Sequence, residues 1–120
     1  MSVYFEIQAD DPRRAIKFYS EALGWRFSEV KGHPVAYWTI ETGTPPGGGL
    51  LQRPAKASPA GSGTNAFVCS FEVSDFDVIA DTILKLGGIV ALAKFEVPGK
   101  CWQGYFIDTE GNTFGIFQVI

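Results

Sequence analysis

Apolar and polar residues alternate from Val3 to Gln8, and the apolar set is rich in strand formers, so the chain opens on a strand. Asp11-Pro12 then supplies a helix N-cap followed by proline at the first helical position. Ala15, Ile16, Tyr19, Ala22 and Leu23 recur at helical spacing, and Gly24 stands where a left-handed residue closes a helix. Strands are predicted over 25–30, 35–40 and 48–52. The turn sequences Lys31-Gly32-His33-Pro34 and Thr42-Gly43-Thr44-Pro45-Pro46-Gly47 separate them. The segment from Arg53 to Thr64, rich in proline, glycine, serine and alanine, reads as a surface linker.

The pattern then restarts. A strand is predicted over 66–73, and Ser74-Asp75 opens a helix with Phe76, Ile79, Ala80, Ile83 and Leu86 on one face. Gly87-Gly88 ends that helix, and strands at 89–97, 102–108 and 113–119 follow, with Glu110-Gly111-Asn112 as the last turn. Phe5-Glu6-Ile7 matches Phe71-Glu72-Val73 at an offset of 66, and Leu23-Gly24 matches Leu86-Gly87 at an offset of 63. From the letters, the second copy has lost three residues around its helix start. The shared order predicts an α+β fold of two tandem βαβββ modules, one over about 1–56 and the other over about 65–120, within a single domain.

One helix per four strands covers only one face of a sheet, and strand residues alternate between faces. Phe5 and Ile7 suit the helix side of the first strand, so Tyr4, Glu6 and Gln8 face away. Phe67, Cys69, Phe71 and Val73 suit the helix side of the equivalent strand, leaving Val68, Ser70 and Glu72 opposite. Mixed sheets with helices outside are expected to form a cup lined by polar and aromatic side chains, the usual place for a small ligand. Carboxylates such as Glu6 and Glu72 sealed inside without partners would cost several kcal/mol, which favours a hydrated cavity.

Composition narrows the function. At 120 residues with 46% hydrophobic and 19% charged residues, the chain can bury a core without disulfides or a structural metal. The net charge is −3 and the basic residues are scattered, which gives no nucleic-acid footprint. No run approaches the roughly 20 apolar residues of a membrane span. The N-terminal residues lack a signal-peptide stretch, so a cytoplasmic protein is expected. Cys69 and Cys101 have no CxxC or Cys/His company and are expected to be small buried hydrophobes. Pro46-Gly47-Gly48-Gly49 lacks the Gly-Lys-Ser/Thr ending of a phosphate loop, and no GxSxG is present. His33, the only histidine, is expected in an exposed turn.

FEIQADDPRRAIKFYSEALGWRF, FEVSDFDVIADTILKLGG and YFIDTEGNTFGIFQ together resemble the vicinal-oxygen-chelate superfamily of glyoxalases, bleomycin-resistance proteins and dioxygenases. The FY…LGW and D-x-x-G-N signatures carry the resemblance, which spans nearly the whole chain and is weakest over 41–64. It implies a divalent metal held by His, Gln or Glu. Carried over, the ligand positions fall at Tyr4, Val68 and Gly115, and all three depart from the pattern. A protonated tyrosine is a poor ligand, and Val and Gly offer no side-chain donor. Glu6, Gln8 and Glu72 remain as oxygen donors suited at most to a weak Mg²⁺ or Ca²⁺ site.

Two functions are therefore weighed. One is a metal-free, cofactor-free cup that binds a small, partly aromatic or amphipathic molecule, as bleomycin-resistance members do. Its candidate ligand-binding residues are Tyr4, Glu6, Gln8, Trp38, Val68, Ser70, Trp102, Gly115 and Phe117, with Tyr105 as a further aromatic. The other is a lyase, isomerase or dioxygenase with a non-standard metal site, or a metal-independent enzyme using Glu6 as base. No catalytic residue stands out. The resemblance also implies a twofold homodimer.

Overall fold

A computed structural model describes residues 3–59 and 61–120. Met1 and Ser2 of the first predicted module, and Ala60 of the predicted linker, lie outside the described residues. The chain divides into two compact units, 1–57 and 58–120, and the division falls inside that linker. Each unit is a βαβββ module, as expected for the α+β class.

The first unit contains β1 (Phe5–Ala9), α1 (Pro12–Leu23), β2 (Arg26–Val30), β3 (Tyr37–Glu41) and β4 (Gly48–Gln52). Its sheet runs β1-β4-β3-β2, with β1 parallel to β4 and the other pairs antiparallel. Asp11 caps α1 by accepting the Arg14 N–H, and Gly24 closes it with φ +71°. The core lies between helix and sheet. Ala15, Phe18, Tyr19 and Ala22 bury the inner face of α1 against Ile7, Ala9, Ile40 and Leu50. Phe18 is a core residue the helical spacing did not pick out. Trp25 seals the end of this core, stacked on Tyr19 at 5.0 Å and tilted against Phe5 at 5.6 Å.

The second unit contains β5 (Ser70–Glu72), α2 (Phe76–Lys85), β6 (Ile89–Val97), β7 (Cys101–Ile107) and β8 (Thr113–Val119), with sheet order β5-β8-β7-β6. Asp75 caps α2 through the Val78 N–H. Phe76, Ile83, Phe106, Phe114 and Ile116 form the core. Asp108 builds the D-x-x-G-N turn. Its carboxylate accepts the N–H groups of Glu110 and Asn112, each at 2.8 Å, and Gly111 takes φ +81°. β6 lies at the sheet edge, its residues nearly all exposed. Two register shifts, between Val90 and Leu92 and between Leu92 and Phe95, interrupt its pairing with β7.

The strand expected over 66–73 is shorter, because β8 offers β5 a parallel ladder only at Ser70–Glu72, flanked by the Gly115 N–H to Cys69 carbonyl bond. Phe67, expected on the helix side, is therefore fully exposed, and Cys69 is exposed rather than buried. The letter match at offset 66 is also out of structural register. Helix caps Asp11 and Asp75 correspond, an offset of 64, so the three residues were not lost at the helix start. No helix among the described residues is long and apolar enough to cross a membrane.

Candidate functional site

Cross-strand partners share a sheet face, so the ladder registers sort the candidate residues. In the first unit Glu6 stands beside Gly49, and Gly49 beside Thr39. This row lies on the face away from α1, because its neighbours Ile7, Leu50 and Ile40 supply the core. Tyr4 and Gln8 fall on the same face by alternation. Tyr37 reaches across Gly49 and donates its hydroxyl proton to Glu6 Oε2 at 2.7 Å. A phenol has one proton to donate, so the Tyr37 oxygen accepts the hydrogen bond from Tyr4 at 2.8 Å. The result is a relay, Tyr4 to Tyr37 to Glu6.

Gly49 makes the relay possible. A Cβ there would overlap the Tyr37 hydroxyl and stand 2.7 Å from that of Tyr4. Tyr37 is itself 7% exposed, with the His33 ring stacked on it at 4.3 Å. Burial above all, then the hydrogen bonds with Tyr4 and Glu6 and the nearby carboxylate charge, hold the Tyr37 phenol far above its ordinary pKa. Glu6 is exposed, and Tyr4 keeps about half of its surface in solvent at 49%.

The second unit repeats this arrangement with different groups. Ser70 stands beside Gly115, and Gly115 beside Tyr105, on the face away from α2. Gln103, 8% exposed, donates its amide to Ser70 Oγ at 3.1 Å. A Cβ on Gly115 would overlap Ser70 Oγ and lie 2.7 Å from Gln103 Nε2. The Tyr37–Glu6 bond over Gly49 and the Gln103–Ser70 bond over Gly115 thus occupy corresponding places. Phe117 shares this face, being paired with Glu72 and Gln103. Phe95, paired with Gln103, stacks on Tyr105 at 6.4 Å.

Of the predicted residues, the structure brings Tyr4, Glu6 and Gln8 to one face, and Ser70, Gly115 and Phe117 to one face. It places the two tryptophans elsewhere. Trp38 pairs with fully buried Leu50, on the side that α1 covers. Trp102 pairs with Gln118, whose side chain accepts the Phe76 N–H at the start of α2. Lys94 Nζ sits 4.8 Å from the Trp102 ring centre and 5.4 Å from that of Phe76. Val68 lies just before β5 and is 40% exposed. An open crevice of about 290 Å³ lies along residues 40–47 and includes none of the predicted residues. Sequence reasoning missed Tyr37, Gly49 and Gln103. Tyr37 and Gln103 carried a signal in their strand parity, opposite to that of Trp38 and Trp102.

The metal expected from the resemblance does not fit these residues. Tyr4 is engaged by Tyr37, Val68 has no donor, and the volume a longer side chain at Gly115 would need is taken by Ser70 and Gln103. Among the described residues no three His, Cys, Asp or Glu side chains come together.

The model of the Glyoxalase/Bleomycin resistance protein/Dioxygenase superfamily matches residues 2–116, and the chain belongs to that family. A glyoxylase-like domain-containing protein of Didymella fabae is 29% identical over 121 residues, covering 92% of this chain and 88% of that protein. A glyoxalase/bleomycin resistance protein/dioxygenase family enzyme from Burkholderia phytofirmans PsJN has a similar solved structure. Its TM-score is 0.75 at 20% identity, covering 98% of this chain and 97% of that one. The fosfomycin resistance protein FosX of Listeria monocytogenes shares the fold at TM-score 0.72 and 12% identity, over 100% and 93% of the two chains.

Proposed function

From membership of this superfamily, we propose that the protein binds a small, partly aromatic or amphipathic molecule on its helix-free sheet faces, without a metal. One observation carries the reading. At the position where the family's closing-hairpin carboxylate is expected, the chain has Gly115, and the space beside it holds a Ser70–Gln103 hydrogen bond. A catalytic divalent site typically needs three protein donors with at least one open position. Hydroxyl, amide and phenol groups in that place serve instead to orient a ligand by hydrogen bonds. Tyr4 in one unit, and Tyr105 and Phe117 in the other, supply ring area for contact.

The test is thermal unfolding of freshly purified protein with EDTA and with Mg²⁺, Mn²⁺, Fe²⁺, Co²⁺, Ni²⁺ or Zn²⁺, alongside metal analysis. Only a ligand that binds the native state raises its stability. The midpoint is expected to stay fixed with EDTA and with each cation at modest excess. A stoichiometric metal whose removal lowers the midpoint would overturn the reading.

A further inference from the structure

We propose that the exposed face of the first unit recognises a cationic nitrogen, a protonated amine or a guanidinium, on an aromatic or amphipathic ligand, with Glu6 as its counter-ion. The inference rests on the binding reading above and adds the charge of the ligand. Three observations carry it.

The first is that the carboxylate is oriented but not neutralised. Glu6 Oε2 accepts the Tyr37 proton, and no ion pair among the described residues involves Glu6. The cation at the end of β4, Arg53, pairs with Asp10 at 2.9 Å. Glu6 Oε1 is thus left to accept a donor from outside the chain. An ionised acceptor prefers a charged N–H donor, because such bonds are shorter and about twice as strong as neutral ones.

The second is rigidity. Tyr37 is buried, its ring is held by His33, and its hydroxyl is bonded on both sides. An exposed glutamate is normally free to rotate, and fixing it on binding weakens the net gain. Here the chain itself fixes one oxygen.

The third is the surrounding surface. The half-exposed ring of Tyr4 lies within the same hydrogen-bonded relay as Glu6. Gly49 leaves no side chain to cover the row. An aromatic ring near an unpaired carboxylate suits a cation that carries apolar groups, since the ring face attracts positive charge and covers hydrocarbon. An anionic ligand would meet a like charge there.

Amide chemical shifts of the full chain, titrated with phenethylammonium, 2-phenylethanol and phenylacetate, test the proposal. Phenethylammonium is expected to perturb the amides around Glu6, Gly49 and Tyr37 and to bind about tenfold more tightly than 2-phenylethanol, with phenylacetate weakest. Glu6→Gln should abolish the preference for the cation. Tyr37→Phe, which keeps the carboxylate and frees it, should reduce the preference without abolishing it. Equal binding of the amine and the alcohol at these amides would overturn recognition of charge while leaving metal-free binding intact. A preference that survives Glu6→Gln would overturn the role of Glu6. If none of the three probes perturbs these amides, the proposal fails whatever the metal analysis shows.

Discussion

Removing a single oxygen tests the relay most directly. Tyr37→Phe keeps the ring, its stacking on His33 and nearly all of its volume, and deletes the hydroxyl that joins Tyr4 to Glu6. A net hydrogen bond contributes about 0.5–1.5 kcal/mol, and one to a charged group about 1.5–3. Glu6 and Tyr4 both reach solvent, so water replaces much of what is lost, and the low end of each range applies. The expected loss near pH 8 is about 1–2 kcal/mol. With a urea slope of about 1–2 kcal/mol per molar, the unfolding midpoint falls by roughly 1 M at unchanged slope. The pH dependence gives a second, independent sign. A phenol whose folded pKa lies above its unfolded value of about 10 stabilises the fold below pH 10, and that contribution is lost as pH rises towards the folded pKa. Above pH 10 the unfolded chain releases the proton and the folded chain retains it, so wild-type stability falls by up to about 1.4 kcal/mol per pH unit from this group. Tyr37→Phe lacks that slope, and its deficit should shrink by about 1 kcal/mol between pH 10, where the unfolded phenol is half ionised, and pH 11. Urea titrations of both proteins at pH 8, 10 and 11 measure it. Equal midpoints at pH 8, or a deficit that does not change with pH, would refute the reasoning.

Two further outcomes follow from the same packing. Gly115→Ala places a methyl on Ser70 Oγ and should cost about 1–3 kcal/mol in urea unfolding, with Ser70→Gly in the same chain recovering most of the loss. Asp108→Ala removes the acceptor of two backbone N–H groups in the last hairpin and should cost about 2–4 kcal/mol by the same measurement, because Asp108 is buried.

The fold was legible because the signals that set it are local. Asp11 and Asp75 before apolar helices, Gly24 and Gly87 after them, and alternation along the strands each act within a few residues. The repeat was legible in its order but misread in its register. Phe5-Glu6-Ile7 resembles Phe71-Glu72-Val73, yet the ladders set Glu6 opposite Gly49 as they set Ser70 opposite Gly115. The error is two residues, the strand period, so the slip by itself turned no residue to the opposite face. The site was only half legible. Parity set Tyr4, Glu6 and Ser70 on the faces away from the helices, and Gly115 came from the family resemblance. Trp38 and Trp102 were picked for their size, although their parity sets them on the helix side. Tyr37 and Gln103 act diagonally across a neighbouring strand, over a glycine, and no spacing within one strand encodes that reach. Nor does alternation reveal that a strand lacks a ladder partner, as happens at Phe67.

The interrupted ladder of β6 bears on how the molecule behaves in a crowd of its own kind. A long, flat sheet edge is a template on which another chain can add a strand, and β6 is nine residues of largely exposed edge carrying Ile89, Val90, Leu92 and Phe95. Its two irregularities re-aim the backbone between Val90 and Phe95, so an incoming strand finds no continuous row of donors and acceptors. Lys94 and Glu96 put charge into the same stretch. The bulges that spoil the regularity of the sheet thereby work against its growth by strand addition.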